Sequence, residues 1–338
     1  MRLTRRRWLA LAGLGALGGT AALGLRHRLH ARSSERLDGP TPVAIRAEPI
    51  PAFGPDERVG ALRFRAGLAL ASPHGAFGGF SGLWRAPDGG SLVAISDDAT
   101  WLTARVAREA GRLSGLDEAR LAPVLGPDGT PLARGPAYDT EALAIHDGVA
   151  YVGIERAHGV MRFAFAQAGV LARGVPLPVP PEAGRLPANA GLEAIAVHPG
   201  DGSLVAIAEQ ARPGPDAPTR GFILAGPRPG AFAVARSEGF DVTDLAFLPS
   251  GEGLLLERRF SFAAGVAMRL RRIAADAFRP GALVDGPVIA RAGRERPIDN
   301  MEGLAVHHED GRPILTLISD DNFSPVQRTV LLEFALED

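Results

Sequence analysis

Asn300-Met301-Glu302-Gly303-Leu304-Ala305 decides the fold, because a related stretch occurs five times along the chain. The other four are Phe80-Ser81-Gly82-Leu83, Thr140-Glu141-Ala142-Leu143-Ala144, Leu192-Glu193-Ala194-Ile195-Ala196 and Thr243-Asp244-Leu245-Ala246. When these stretches are aligned on residues 81, 141, 193, 244 and 302, the spacings are 60, 52, 51 and 58 residues. Self-similarity at a period of this size indicates a repeat architecture.

Each repeat continues as a β-hairpin. A short apolar run meets a turn such as Asp147-Gly148 or Asp201-Gly202, and a second apolar run follows, for example Leu204-Val205-Ala206-Ile207. Asp-Gly turns between apolar runs are a strong short-range signal for hairpins. The length of each unit leaves room for about four strands, which is typical of propeller blades.

These repeats predict an all-β fold, a single β-propeller of five blades. A sixth, degenerate blade before Phe80 is the alternative. The last repeat is one strand short, and we expect residues 60–70 to supply that strand. Pairing of the N- and C-terminal strands would then close the ring.

The composition agrees with this fold and excludes some functions. The chain has 338 residues, 46% of them hydrophobic, with 42 glycines and 28 prolines that punctuate short apolar runs. The formal net charge is −1, which argues against nucleic acid as a partner. There is no cysteine, so disulfides and thiolate metal sites are excluded.

The first 32 residues are predicted to be a targeting segment. Thr4-Arg5-Arg6-Arg7-Trp8-Leu9 places adjacent arginines before an apolar, glycine-rich stretch. This pattern predicts a twin-arginine export signal and a periplasmic or secreted protein. An uncleaved segment that anchors the protein to the membrane is the alternative. Residues 33–58 follow as a proline-rich linker, and residues 59–338 form the propeller domain.

Acidic residues recur at two places in the hairpins. The first strands start with Glu141, Glu193, Asp244 or Glu302, and Ser81 takes this place in the first repeat. The second strands end with Asp97, Glu155, Glu209, Glu257 and Asp320. In an antiparallel hairpin these two places lie at the same end. We therefore expect both sets on one face of the propeller, with the first set around the central channel.

Carboxylates this close raise one another's pKa unless a positive charge lies among them. A divalent cation with oxygen ligands, most readily calcium, would supply that charge, with Glu141, Glu193, Asp244 and Glu302 as its ligands. Further polar candidates on the same face are Asn300, Asp321 and Asn322. Arginine is the other source of charge, and a purely structural alternative is that the repeated acids accept backbone N–H groups of the next blade.

Three histidines share another repeat position, five residues after their acids. His146, His198 and His307 therefore belong at the opposite end of the strands, beside the turns, and we expect them to be surface turn residues. The sequence contains no G-x-S-x-G elbow, H-E-x-x-H motif, EF-hand loop or P-loop.

The ordered motifs resemble the bacterial phytase-like family, which is described by an esterase-like activity. They include Gly78-Gly79-Phe80-Ser81-Gly82-Leu83, Ile95-Ser96-Asp97, Leu256-Glu257-Arg258-Arg259-Phe260, Asn300-Met301-Glu302-Gly303-Leu304-Ala305 and Ser319-Asp320-Asp321-Asn322-Phe323. The resemblance spans about residues 60–336. It implies a propeller, an exported location and hydrolase activity, and it carries over no catalytic residues.

The leading functional hypothesis is an exported, cation-dependent ester hydrolase that acts on small esters, above all phosphoesters. Arg258 or Arg259 would contact a phosphate, and Asp320 would act as a base. We expect a monomer. The alternatives are a non-catalytic propeller that binds a ligand or protein, and a lactonase or sugar dehydrogenase, for which only fold analogy argues.

Overall fold

The computed structural model describes residues 35–134, 139–187, 191–209, 214, 216–261 and 264–337. The predicted signal segment, residues 1–32, lies outside the described residues. Among the residues that are described, no helix is both long and apolar enough to cross a membrane.

The fold is all-β, as predicted. The strands are β1 (Thr41–Pro42), β2 (Arg46–Pro49), β3 (Arg58–Val59), β4 (Leu62–Ala71), β5 (Phe80–Arg85), β6 (Ser91–Ser96), β7 (Thr100–Glu109), β8 (Arg112–Pro123), β9 (Thr140–His146), β10 (Val149–Ile154), β11 (Gly159–Phe163), β12 (Val175–Leu177), β13 (Leu192–Val197), β14 (Leu204–Ala208), β15 (Thr219–Ala225), β16 (Gly230–Val234), β17 (Asp241–Phe247), β18 (Gly253–Ser261), β19 (Gly265–Ile273), β20 (Leu283–Val284), β21 (Val288–Gly293), β22 (Asn300–Glu309), β23 (Arg312–Asp320) and β24 (Thr329–Leu336). The helical segments are short: α1 (Phe165–Ala168) and the 3-10 turns Leu132–Arg134, Gly169–Leu171 and Ala183–Arg185.

The strands form five sheets, which are the five blades. From the inner to the outer edge, blade 1 is β5-β6-β7-β8-β1 and blade 2 is β9-β10-β11-β12. Blade 3 is β13-β14-β15-β16-β20, blade 4 is β17-β18-β19-β21, and blade 5 is β22-β23-β24-β4-β2. Each inner strand packs against the inner strands of the two neighbouring blades, and β22 packs against β5. This ring confirms five blades and excludes the six-bladed alternative.

The two ends of the chain close the ring in blade 5. Strand β4 pairs antiparallel with β24, with Leu68 opposite Leu331. This confirms the predicted pairing, with the N-terminal strand two residues later than expected at its start. Residues assigned to the linker also join the blades: β1 adds to blade 1, β2 to blade 5, and Phe53 is 1% exposed. Strands β1 and β2 are therefore the outermost strands of blades 1 and 5.

The apolar core lies between neighbouring blades, because each sheet buries both faces against the next. The inner strands approach one another so closely that glycine is required at some places. A Cβ on Gly82 would lie 2.8 Å from the Leu143 Cβ, and one on Gly303 would lie 2.9 Å from the Leu83 Cβ. These are closer than real Cβ contacts, so Gly82 and Gly303 set how narrow the ring is.

A charged network joins blades 5 and 1 away from the acidic end. Glu333, fully buried, accepts hydrogen bonds from Arg108 Nη1 and Nη2 at 3.1 and 2.9 Å, and Arg85 Nη1 lies 3.8 Å away. His307 is 1% exposed beside Glu309, 3.2 Å from its carboxylate. The expectation that His307 is a surface residue is wrong, because the blade interface covers it.

Candidate active site at the acidic mouth of the channel

Each inner strand carries a β-bulge at the same point. In every blade, the pairing between the first and second strands skips one residue of the first strand near its start. An extra residue of this kind leaves the regular alternation and redirects its side chain. The skipped residues are Ser81, Glu141, Glu193, Thr243 and Glu302. We call the end of the channel where they lie the acidic mouth.

Blade 4 corrects the sequence alignment by one residue. Its bulge residue is Thr243, whereas Asp244 pairs with Leu256 in the regular ladder. The Asp244 carboxylate accepts the backbone N–H of Leu304 in blade 5 at 2.6 Å and that of Leu245 at 2.8 Å. A one-residue slip along a strand moves a side chain to the opposite face. Asp244 therefore joins blade 4 to blade 5 and does not lie with the three glutamates.

The second strands show the same shift in blade 4. The residue that follows the strand is an acid in blades 1, 2 and 3, where the backbone N–H groups of Asp97, Glu155 and Glu209 donate to carbonyl oxygens of the residues just before the first strands. In blade 5 the equivalent residue is Asp320, paired with Asn300. In blade 4 it is Arg258, paired with Asp241. One cation thus replaces a carboxylate in an otherwise acidic ring of positions.

Glu257, the neighbour of Arg258, lies elsewhere. It is fully buried and accepts hydrogen bonds from Arg269 Nε and Nη2 at 2.6 and 3.0 Å. Arg271 Nε and Nη2 donate to the same carboxylate, both at 2.9 Å. This acid is therefore compensated inside blade 4 and does not belong to the mouth.

Arg259 also lies outside the mouth. Its Nη1 donates to the Glu238 carbonyl oxygen at 3.0 Å, and its guanidinium carbon lies 4.8 Å from the centre of the Phe240 ring. Successive residues of a strand point to opposite faces, so the side chains of Arg258 and Arg259 lie on opposite faces of the sheet. Of the two arginines considered for phosphate binding, only Arg258 lies among the mouth carboxylates.

Arg258 bridges three blades. Its Nε lies 2.9 Å from Glu302 Oε1 of blade 5, and its Nη2 lies 3.4 Å from Glu209 Oε1 of blade 3. The surrounding carboxylates Glu302, Glu209 and Glu193 raise the pKa of Arg258 against the opposing effect of burial. The side chain is 21% exposed, although its Nε is buried.

Burial and like charges raise the pKa values of the mouth acids. Burial first, then Glu193 and Asp139, raises the pKa of Glu141 well above its usual range. Burial first, then Glu209 and Glu155, does the same for Glu193.

The second-strand acids follow the same rule. Burial, then Asp139 and Glu209, raises the pKa of Glu155 to about 8. Burial, then Asp320, raises the pKa of Asp97 well above its usual range. Burial, then the charge of Glu302, also raises the pKa of Asp320 well above its usual range. The hydrogen bond from the Asn322 N–H acts in the opposite direction and lowers this pKa.

Asp139 is a mouth residue that the sequence reasoning missed. One oxygen each from Asp139, Glu141 and Glu155 lie within 4.8 Å of one another. Arg156 Nε donates to Asp139 Oδ2 at 2.6 Å. Asp139 stands two residues before Glu141, as Asn300 stands two residues before Glu302. That shared repeat position is the signal that could have found it.

The loop after Asp320 forms one wall of the mouth. Asp320 Oδ1 accepts the N–H of Asn322 at 2.6 Å, and Asp321 Oδ1 accepts the N–H groups of Gly79 and Phe323 at 2.9 and 3.0 Å. Asn322 and Phe323 both have left-handed backbones, with φ of 50° and 47°. Strain of this kind persists only where neighbours hold it, and here Asp321 is the anchor.

Asn300 holds two mouth acids together. Its Nδ2 donates to Glu302 Oε1 at 2.7 Å and to Asp320 Oδ2 at 3.4 Å. The structure thus brings together Ser81, Asp97, Glu155, Glu193, Glu209, Asn300, Glu302, Asp320 and Arg258 with Glu141 and Asp139.

The donors at the mouth fit a hard divalent cation. Carboxylate oxygens are the ligands that calcium and magnesium prefer, and the Asp139, Glu141 and Glu155 group brings three of them together. Ser81 is 2% exposed, and its Oγ has no hydrogen-bond partner among the described residues. The buried Oδ1 of Asp97 also has no hydrogen-bond partner among the described residues. A bound cation would satisfy such oxygens and offset the carboxylate repulsion.

Solved structures with a similar fold have very different sequences. The aldose sugar dehydrogenase from Streptomyces coelicolor in its PQQ-bound form is 14% identical, with a TM-score of 0.40, over 87% of this chain and 99% of that one. The endo-arabinase from Bacteroides thetaiotaomicron is 9% identical, with a TM-score of 0.46, over 75% of this chain and 93% of that one. These similarities carry no information about function.

No curated protein matches the sequence. A family model does match, over residues 75–323, and its description is "Esterase-like activity of phytase". The match runs from just before the first inner strand to the loop after Asp320, so it includes the first two strands of all five blades. The chain therefore belongs to the phytase-like family.

Proposed function

We propose that this protein is an ester hydrolase, acting on phosphoesters, that uses a divalent cation at the acidic mouth. One observation carries the proposal: acids from four blades meet at the mouth, where Arg258 contacts Glu302 and Glu209, and three acids of blade 2 bring oxygens within 4.8 Å of one another. Calcium is the ion we favour, because it tolerates irregular oxygen geometry best.

The ion would be held by Asp139, Glu141 and Glu155, and Glu193 is a further acid whose charge acts on Glu141. A divalent cation supplies a Lewis acid for the ester oxygen and lowers the pKa of a water bound to it. Fold analogy adds nothing to this assignment.

Asp320 is positioned to act as the base. Asn322 N–H and Asn300 Nδ2 hold its two oxygens. Burial beside Glu302 raises its pKa, which makes the carboxylate a better proton acceptor near neutral pH. It would take a proton from the attacking water.

Arg258 is positioned to orient the phosphate group. A guanidinium has five N–H donors in a fixed plane, and Glu302 and Glu209 engage two of its nitrogens. The remaining donors can contact a phosphate oxygen in a charge-assisted hydrogen bond. The position of Arg259 over Phe240 excludes it from this role in our proposal.

The test is an assay of the mature protein with and without calcium on aryl phosphates, aryl carboxylate esters and lactones. We expect calcium-dependent turnover of an ester and its loss on chelation. Turnover that is unaffected by chelation would contradict the role of the cation. Calcium-dependent stabilisation without turnover of any ester would instead indicate a non-catalytic binding propeller.

We also propose that the protein works as a monomer outside the cytoplasm, after export by its N-terminal segment. The support is the paired arginines before an apolar stretch. Cell fractionation of the full chain tests this, with an Arg5→Lys, Arg6→Lys, Arg7→Lys variant as the comparison. Retention of the variant in the cytoplasm is expected, and unchanged export would contradict the twin-arginine route.

A further inference from the structure

We propose that, in the chain that keeps its N-terminal segment, the acidic mouth faces a lipid bilayer and the far ends of the blades point away from it. This inference goes beyond the proposed hydrolase and is independent of it, because it concerns only the orientation of the propeller. It rests on the predicted targeting segment, residues 1–32, and on the place where the chain enters the propeller.

The chain enters the propeller on the face that carries the acidic mouth. The second strand of blade 1 ends there at Ser96, which pairs with Thr100 at the start of β7. Pro123, at the end of β8, lies opposite Thr100, so β8 also ends on this face. Strand β1 is antiparallel to β8, with Thr41 opposite Leu121. The residues that precede β1 therefore reach blade 1 from the side of the mouth.

Residues 35–40, which we call the entry segment, are held against the propeller. Glu35 Oε2 accepts the Gly75 N–H at 2.8 Å and lies 3.1 Å from His74 Nδ1. Leu37 is 8% exposed and belongs to the apolar core cluster shared by blades 5 and 1. A hydrogen bond and apolar packing thus fix where the entry segment lies.

The connection that binds the entry segment runs on to the mouth. Residues 72–79 link β4 of blade 5 to β5, the inner strand of blade 1. At its end, the Gly79 N–H donates to Asp321 Oδ1 at 2.9 Å, and the Asp97 N–H donates to the Gly79 carbonyl oxygen at 2.9 Å. Gly75 and Gly79 are close in sequence, so their Cα atoms are at most about 14 Å apart. The entry segment therefore lies beside the mouth.

The apolar stretch of the targeting segment is close in sequence to the entry segment. Residues 8–25 carry no charged side chain, and about 18 apolar residues are enough to cross a bilayer. Residues 26–34 form a tether between the two, which reaches about 30 Å when fully extended. The tether contains Arg26, Arg28 and Arg32, and arginine next to a membrane-spanning stretch is attracted to anionic headgroups.

A short tether fixed beside the mouth favours one orientation. Strand β22 runs from the mouth to the far turn of blade 5 over 10 residues, which corresponds to a rise of about 33 Å. A propeller with its far face on the bilayer would require the tether to cross the whole height of a blade. With the mouth nearest the bilayer, the tether can stay relaxed and keeps its conformational entropy.

The orientation can be measured with the full chain reconstituted into vesicles of phosphatidylcholine and phosphatidylglycerol. The chain has no cysteine, so each single-cysteine variant carries one donor fluorophore. Val326→Cys reports the mouth face, from the exposed loop between β23 and β24. Arg312→Cys reports the far face of the same blade, from the exposed turn between β22 and β23. We expect energy transfer to rhodamine-labelled headgroups to be about twofold greater from Val326→Cys, because a strand length separates the two sites.

Two further chains test whether the N-terminal segment sets this orientation. A chain that begins at Ser33 keeps every residue that the structure describes, and it should stay unbound when the vesicles are floated. Insertion of about 20 Gly and Ser residues between Arg32 and Ser33 raises the r.m.s. reach of the tether from about 17 Å to about 30 Å. Energy transfer from the two labelled sites should then become more nearly equal.

Equal transfer from the two sites of the full chain, or greater transfer from Arg312→Cys, would overturn the inference. Failure of the full chain to float with the vesicles would do the same. Flotation of the shortened chain, or an unchanged transfer ratio after the insertion, would show that the propeller docks without the tether and would also overturn it. None of these measurements involves turnover, so failure of this inference and failure of the proposed hydrolase are separate results.

Discussion

Arg258 Nε lies 2.9 Å from Glu302 Oε1, and Arg258 holds in blade 4 the place that a carboxylate holds in the other four blades. Glu209, from the blade on the other side, lies 3.4 Å from the same guanidinium. This arginine is therefore the internal counter-ion of the mouth. Its position explains how so many acids can share one end of a narrow channel.

Removal of this counter-ion should separate stability from calcium binding. Arg258→Gln is expected to lower the free energy of unfolding of the calcium-free protein by about 2 kcal/mol, because it removes the cation that lies beside the carboxylates of Glu302 and Glu209. It should also strengthen calcium binding about fivefold, because one repelling charge is gone. Urea denaturation and calorimetric titration measure the two effects. Arg259→Gln is the matched control, and it should change neither calcium affinity nor stability by a comparable amount.

Asp244 should behave as a structural residue. Its carboxylate joins two backbone N–H groups across blades 4 and 5, so Asp244→Ala should destabilise the protein by about 2–3 kcal/mol. The calcium affinity of the Asp244→Ala variant should equal that of the unmodified protein. A Glu193→Gln variant should do the reverse, weakening calcium binding with little loss of stability. Loss of calcium binding in Asp244→Ala, measured below its melting temperature, would contradict the assignment.

The sequence predicts the blades well but places the acids of blade 4 one residue out. Apolar runs and Asp-Gly turns are local features, so five hairpins and the closing strand can be recognised without coordinates. The position of a β-bulge depends on pairing with the second strand, and Thr243-Asp244 offers no local sign of where the skip falls. For the same reason, the sequence assigns the mouth position of the second strand of blade 4 to Glu257, whereas the structure gives it to the neighbouring Arg258. Asp139 was not predicted, because an alignment on the acidic position of Glu141 does not consider the residue two places earlier.

The junction of blades 5 and 1 should contribute strongly to stability. Glu333 is buried between Arg108 and Arg85, so Glu333→Gln would leave the buried guanidinium groups under-compensated. We expect a loss of about 3 kcal/mol in the free energy of unfolding, measured in urea. Glu48, whose side chain is 61% exposed in its pair with Arg46, provides the control. Glu48→Gln should change stability by less than about 0.5 kcal/mol, and equal effects of the two variants would contradict the role of the junction.

The calcium-free protein should lose stability as pH rises from about 5 to 8. Burial, with the charges of Asp139 and Glu209, raises the pKa of Glu155 to about 8, so the folded protein keeps a proton that the unfolded chain releases near pH 4–5. A raised carboxyl pKa stabilises the folded state below the unfolded pKa, and this contribution is lost as pH rises through the folded pKa. We expect Tm in chelator to fall by roughly 5 °C across this window. Calcium should reduce the fall, and a Tm that rises with pH in chelator would contradict the account.

The most direct test of the central claim, that the acidic mouth holds a divalent cation, is a calorimetric calcium titration of chelator-treated protein. The Glu141→Gln, Glu155→Gln double variant is compared with Asp244→Asn. Asp244 aligns with Glu141 in the sequence repeats, but its carboxylate lies outside the mouth. The account predicts that the unmodified protein and Asp244→Asn bind calcium alike and that the double variant loses this binding. Calcium binding by the double variant at the affinity of the unmodified protein, or no binding by the unmodified protein, would contradict it.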